Sequence, residues 1–357
     1  LFYIPRNGKR LDIISNFYSE IDNYDESDLE CWLKTKEDDS FFQKEDNSVS
    51  FTIVTRDKLV KSLKNGENWE SFFSGLQMTD IFKSKMVLAN TKIYQVFRGE
   101  RTGWNPMFII SREEIDASKI EPKYLLPYIK SSSELKQLRC GTEFSHYLFS
   151  CIDPISELQN KGEGALSWIE DFKNEMNKNG LKTIEEASST HTPFWYSLTP
   201  KKAQIVTAIN PYERLFFSVM ETPCAIDQRL IGFNVVDGYD PIFIAALLNS
   251  VITLFQIEQR GTSRHQGALD LNANYFKKLM LLNPDIPSDR HKKRILEKFN
   301  KLSQREVLTI EEEFKMKDRF AFEKAIFEAY DIPLEYINQL SKKLIATVKE
   351  RVTLKTK

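Results

Sequence analysis

Four short stretches of this sequence gather hydrogen-bonding side chains beside apolar runs. The first is Arg98-Gly99-Glu100-Arg101-Thr102-Gly103-Trp104-Asn105. Arg98, Arg101, Thr102 and Asn105 can bond base edges or phosphates, and the two glycines permit tight or positive-φ backbone. The second runs from His191 through Phe194, Trp195, Tyr196 and Thr199 to Lys201 and Lys202. Lysines interleaved with aromatic rings suit a groove that meets phosphates and base faces. The third is Asp227-Gln228-Arg229, whose glutamine and arginine can read adenine and guanine bidentately. The fourth is a polar loop with Arg260, Thr262, Ser263, Arg264, His265 and Gln266. Flexible donors on a rigid support are the usual build of a recognition loop. Each stretch also has a plain structural reading: a charged hairpin with Trp104 over the core, an aromatic core edged by surface lysines, or solvated turns.

The element that must carry the fourth loop begins at Asp240. Asp240 can cap a helix and Pro241 suits its first position. Ile242, Phe243, Ile244, Leu247, Leu248, Val251, Ile252, Leu254, Phe255 and Ile257 then follow almost without a break, which predicts a helix buried on nearly all sides. Strand patterns occur at 48–55, 86–97, 107–110, 147–152, 204–208, 214–220 and 231–236. Residues 57–63 and 69–76 read as short helices. Residues 164–177 read as a helix with Leu166, Ile169, Phe172 and Met176 on one face, ended by Gly180. From residue 289 the chain is helical, over 289–304, 316–329 and 333–352.

Composition narrows the function classes. With 28% charged and 41% hydrophobic residues, the chain has ordinary globular composition. A formal net charge of −1 excludes a generic polyanion binder, so nucleic-acid contact must come from a local patch. The first fifty residues are acidic, with six basic residues against twelve acidic ones. Four cysteines without a CxxC and only four histidines assemble no zinc-ligand spacing, and a reducing cytoplasm fits them. The Asp240 segment is the sole candidate span, and Asn249, Ser250 and Gln256 interrupt it, which argues against a membrane role. The first residues make no signal peptide, and their abrupt start suggests a fragment.

Catalytic patterns are missing. No strand is followed by GxGxxG, and no GxxxxGK[ST] loop occurs. Asn210-Pro211-Tyr212-Glu213 falls one proline short of the Asn/Asp-Pro-Pro-Tyr/Phe segment of N6-adenine methyltransferases and reads as a turn. Asp285, Asp289 and Lys292 can be forced into a nuclease pattern, but their spacing is common and strand context is lacking.

Several pieces resemble one family in order and spacing. Arg98-Gly-Glu-Arg-Thr-Gly-Trp-Asn-Pro-Met-Phe-Ile-Ile110 resembles the strand pair that opens the target-recognition domain of TaqI/Eco57I-type N6-adenine DNA methyltransferases. Tyr124 to Lys130 is similar to the LLPYIK segment that follows. Leu247-Leu248-Asn249-Ser250, Arg260 and Gly267 to Leu271 are similar to its LLNS…R…G-x-L-x-L element, and Phe322 to Ile332 with Arg351 to its helical ending. The resemblance covers roughly residues 81 to 357.

It implies an α+β chain: a mixed β-sheet recognition domain around a buried helix, with a helical C-terminal part. Residues 1–80 would be an acidic segment or the remnant of a catalytic domain, 81–288 the DNA target-recognition domain and 289–357 the helical region. Double-stranded DNA and a methyltransferase catalytic domain, in the same or a partner chain, are the implied partners. The chain itself would be non-catalytic and bind no cofactor or metal, with S-adenosylmethionine expected for the full-length restriction-modification enzyme. The DNA-facing residues would be Arg98, Arg101, Thr102, Asn105, His191, Tyr196, Lys201, Lys202, Gln228, Arg229, Arg260, Thr262, Ser263, Arg264, His265 and Gln266. The rival readings are a nuclease-bearing part of such a polypeptide and a module that docks a catalytic subunit.

Overall fold

The structure, a computed structural model, describes residues 2–6, 9–17, 41–43, 49–55, 60, 80–161, 163–263 and 267–353. The chain divides into two compact units, residues 1–84 with 255–260, and residues 85–254 with 261–357. The first unit contains a four-stranded antiparallel sheet of β1 (Phe2–Arg6), β2 (Lys9–Phe17), β3 (Phe41–Gln43) and β4 (Val49–Thr55) in the order β1-β2-β4-β3. The alternation at 48–55 is therefore a strand. Of the helices read at 57–63 and 69–76, only residue 60 lies among the described residues.

The second unit begins with β5 (Met86–Leu88) and β6 (Tyr94–Arg98). After them come β7 (Ile109–Ser111), β8 (Leu125–Ile129), β9 (Arg139–Cys140), β10 (His146–Phe149), β11 (Ala203–Ala208), β12 (Ser218–Ile226) and β13 (Leu230–Val235). Seven of these form one mixed sheet along the path β6-β13-β11-β12-β8-β10-β7, with β9 beside β12. β12 pairs with β8 and β9 in parallel, and the other neighbours are antiparallel. β12 joins two halves of this sheet. Its start pairs with β11 and β9, while Ala225 and Ile226 pair with β8. Between them the register shifts, and Pro223, which has no N–H for a ladder, sits at the lapse.

Each half has its own core. One gathers Phe108, Ile110, Tyr128, Leu148 and Phe149 with the helix α1 (Glu163–Lys173), and the other gathers Ile129, Ala203, Val206, Met220 and Leu230. α1 stops at Lys173, short of the expected end. Met176, expected on its apolar face, is therefore 47% exposed, and Gly180 (φ +63°) serves a later turn.

Two sequence expectations change here. The stretch 98–105 is not a hairpin turn, because β6 and β7 terminate opposite ends of the sheet path and do not pair. β6 pairs with β13 instead, Arg98 facing Ile231. Of the strand read at 107–110, Met107 and Phe108 instead belong to one helical turn, Asn105–Phe108, with Pro106 where a missing N–H costs no bond.

The apolar rod is likewise two helices, α2 (Pro241–Leu248) and α3 (Val251–Arg260), bent by 57°. Asp240 caps α2 as expected, accepting from Ile242 N at 2.9 Å. Ser250 caps α3 by accepting from Thr253 N. The bend is held by groups distant in sequence. Asn249 bonds both the N–H (3.0 Å) and the C=O (2.8 Å) of Phe217, as a strand neighbour would. Arg319 donates to Asn249 O and to Glu323 Oε1, each at 2.6 Å, and Glu323 also accepts from Val251 N at 2.9 Å.

Three helices end the unit: α4 (Asp289–Leu302), α5 (Lys317–Ala329) and α6 (Glu335–Thr353). The fold class is α+β, with a buried α2 against a mixed sheet and a helical C-terminal part. No single helix among the described residues is long and apolar enough to cross a membrane.

Candidate nucleic-acid interface

The turn joining β12 to β13 organises the candidate site. Asp227 is buried there, and its Oδ1 accepts from both the backbone N–H (2.9 Å) and Nε (2.7 Å) of Arg229. Its Oδ2 accepts from Tyr128 Oη at 3.2 Å. Arg229 also donates through Nη2 to Lys130 O at 3.1 Å, yet its side chain stays 65% exposed. The neighbouring carboxylate raises the Arg229 pKa further, so the guanidinium is permanently charged.

The loop after β6 lies directly on this turn. Arg98 Nε donates to Gln228 O at 2.7 Å, and Glu100 N donates to Ile226 O at 2.7 Å. Gly99 makes the approach possible, since a β-carbon there would stand 2.1 Å from Asp227 O. Two guanidinium groups are thus gripped by Nε at one turn, and each keeps N–H groups pointing away from its grip.

The far end of the same loop meets His191. Gly103, at φ +77°, passes close enough that a β-carbon would sit 3.7 Å from His191 Nε2. His191 Nδ1 lies 3.0 Å from Trp195 O. A carbonyl only accepts, so Nδ1 carries the hydrogen and Nε2 of the neutral ring is an acceptor. Phe108 packs edge-on against the ring. Lys201 joins from another direction, its Nζ 5.7 Å from the centre of the Phe97 ring on β6.

The structure therefore brings Arg98, Gln228 and Arg229 together at one turn and His191 to Gly103 at the far end of the same loop; Lys201 is placed only over Phe97, whose side chain alternates with that of Arg98 on β6, and Arg101, Asn105 and Lys202 are exposed. Two expected members are structural. Thr102 is 3% exposed and bonds Asn105 Oδ1, and Tyr196 is 2% exposed, with its hydroxyl on Asp153 O at 2.9 Å and its ring stacked on Phe194. Neither can face a duplex, because burial removes the surface such a contact needs. The aromatic–lysine pattern could not separate core rings from exposed ones.

The fourth stretch is placed only by its backbone. β14 (Thr262–Ser263) pairs with β15 (Leu269–Asp270), and Arg264, His265 and Gln266 lie outside the described residues. Main-chain bonds run from Leu269 to Pro211, from Leu271 to Ile209 and from Ile209 to Arg229. Two such steps, each near a strand spacing, put Leu271 on the order of 10 Å from Arg229.

The residues that do the holding are Gly99, Tyr128, Lys130 and Asp227. Gly99 reads from the sequence as a turn-permitting glycine and Asp227 as part of the Asp227-Gln228-Arg229 stretch, while the holding roles of Tyr128 and Lys130, each 99 residues from its partner, have no local signal.

Asn210-Pro211-Tyr212-Glu213, read as a turn, is bonded into the surrounding chain. Asn210 Nδ2 bonds Leu269 O, Pro211 O accepts from Leu269 N, and Tyr212 O accepts from Arg351. Arg351 also grips Gly267 O, so parts of two family-like segments serve packing. Asp285 is bonded by Tyr239, and no group of three acidic, histidine or cysteine side chains among the described residues could hold a metal.

Comparison with solved structures adds the fold relation. The chain matches a structure described as the type IIG restriction endonuclease BpuSI, with a TM-score of 0.59 and 12% identity, over 97% of this chain and 41% of that one. At that identity the match shows a shared fold, and this chain spans less than half of its neighbour's length. No protein-family model and no curated protein matches the sequence.

Proposed function

We propose that this chain is the DNA-recognition part of a restriction-modification enzyme of the N6-adenine methyltransferase type. The observation that carries the proposal is the pair Arg98 and Arg229, each gripped at Nε by one turn and each with further N–H donors left over. Pre-organised arginines bind guanine edges or phosphates at low entropic cost, and lysines add sequence-independent attraction. The shared fold with an enzyme described as a type IIG restriction endonuclease supports the same reading. Under it, methyl transfer from S-adenosylmethionine belongs to a catalytic domain in the same or a partner chain, and the protein works in the cytoplasm.

The test is a selection of bound duplexes from a randomised library, followed by gel shifts at several salt concentrations. Enrichment of one short sequence is the expected result. Binding that ignores sequence at every salt concentration, or no binding at low salt, would remove the proposal.

A further inference from the structure

We infer that Asp227 is a positioning residue that aims Arg229 at the major-groove edge of one guanine; this rests on the DNA-recognition reading above. Two features favour a base over a phosphate. First, the side chain is held at two separate nitrogens, Nε by Asp227 Oδ1 and Nη2 by Lys130 O, and its own backbone N–H is tied to the same carboxylate. Such fixing sets the plane of the guanidinium, which a base edge requires and a phosphate does not. Second, the buried carboxylate offsets the arginine's charge. What remains is directional: three of the five guanidinium N–H bonds are unengaged, enough for a bidentate contact to guanine O6 and N7. Tyr128 Oη holds the other carboxylate oxygen from beneath, so Asp227 is itself fixed.

The test uses the purified chain and the duplex recovered from the library. Arg229→Ala should relax preference at one G·C pair by about 5- to 150-fold, leaving other positions unchanged. Arg229→Lys should behave like Arg229→Ala, because lysine keeps the charge and loses the fork. Replacing that guanine by 7-deazaguanine should weaken wild-type binding and leave Arg229→Ala binding unaltered. Asp227→Ala should relax the same position, and should add nothing in an Arg229→Ala background. Tyr128→Phe, which removes the bond that fixes Asp227, should relax the same position to a smaller extent than Asp227→Ala.

Full activity in Arg229→Lys, or 7-deazaguanine without effect, would assign Arg229 to phosphate and overturn the inference. Loss spread over all positions in Asp227→Ala would also overturn it. If Asp227→Ala does not fold, nitrogen-15 relaxation of the wild-type Arg229 Nε–H decides: a rigid side chain supports positioning and a freely rotating one refutes it. A library without any enriched sequence would instead sink the DNA-recognition reading itself.

Discussion

Under the proposed function, Arg98 and Lys201 would make two different kinds of contact, and single substitutions separate them. Arg98 is gripped through Nε and keeps both Nη groups for an outside acceptor. Arg98→Ala should reduce affinity for the selected duplex by about 1–3 kcal/mol while barely changing affinity for unrelated duplex; competition gel shifts measure both. Among the described residues Lys201 has no hydrogen bond or ion pair, only a loose position over Phe97. Lys201→Ala should weaken every duplex alike and flatten the dependence of log affinity on log salt by about 0.9, the value of one lost phosphate contact. An unchanged slope would take Lys201 off the interface. Tyr196 makes a third, negative case: its ring is core, and Tyr196→Phe should cost stability through the lost bond to Asp153 O rather than alter any base preference.

At the scale of elements, the bend between α2 and α3 is the point of highest local tension between polarity and burial. Arg319 and Glu323 are an ion pair inside the fold, and each also bonds backbone at the break. Removing one partner leaves the other charged and buried, so Arg319→Met should cost about 3–5 kcal/mol in urea unfolding. Arg319→Met with Glu323→Leu should recover part of that loss. A second prediction concerns α6. Glu311 bonds Lys315 and Lys349, the latter on α6, each at 2.8 Å, and these two ammonium groups lower its pKa to about 2 from an ordinary 4.5. A depressed carboxyl contributes stability above its unfolded value and loses it as the pH falls through its folded one. The melting-temperature gap between wild type and Glu311→Gln should therefore be open at neutral pH and close between about 4.5 and about 2.

These elements also show what could be read in advance. Helix starts were legible because their signals are local: Asp240 before Pro241 caps α2 as its residue type dictates. Strands β4, β11 and β13 announced themselves by β-branched runs. Pairing was not legible. Nothing near Arg98 says that β6 joins β13, more than a hundred residues away, rather than β7. The bend had a local mark in Asn249-Ser250, but the groups that hold it, Phe217, Arg319 and Glu323, lie far away in sequence.

For the whole molecule, a net charge of −1 means that, under the proposed function, long-range attraction to DNA is weak and binding would depend on local cations such as Arg98 and Arg229 at their shared turn. Under the proposed function, a variant lacking both Arg98 and Arg229 side chains should lose specific binding, and it should also melt below the wild type because the buried Asp227 loses its ion-pair partner. Incubation with plasmid and magnesium should give no site-specific cutting; a defined cleavage pattern would favour a nuclease in this chain instead.

The hold on residue 228 has a further consequence for how such a protein could diversify. Arg98 clasps the main-chain oxygen of Gln228, an atom every amino acid supplies, and the Gln228 side chain contributes nothing to the grip. Position 228 can accordingly be swapped without loosening the scaffold, so under the proposed function it would be a natural dial for retuning the preferred target while Arg98 and Arg229 keep their grip.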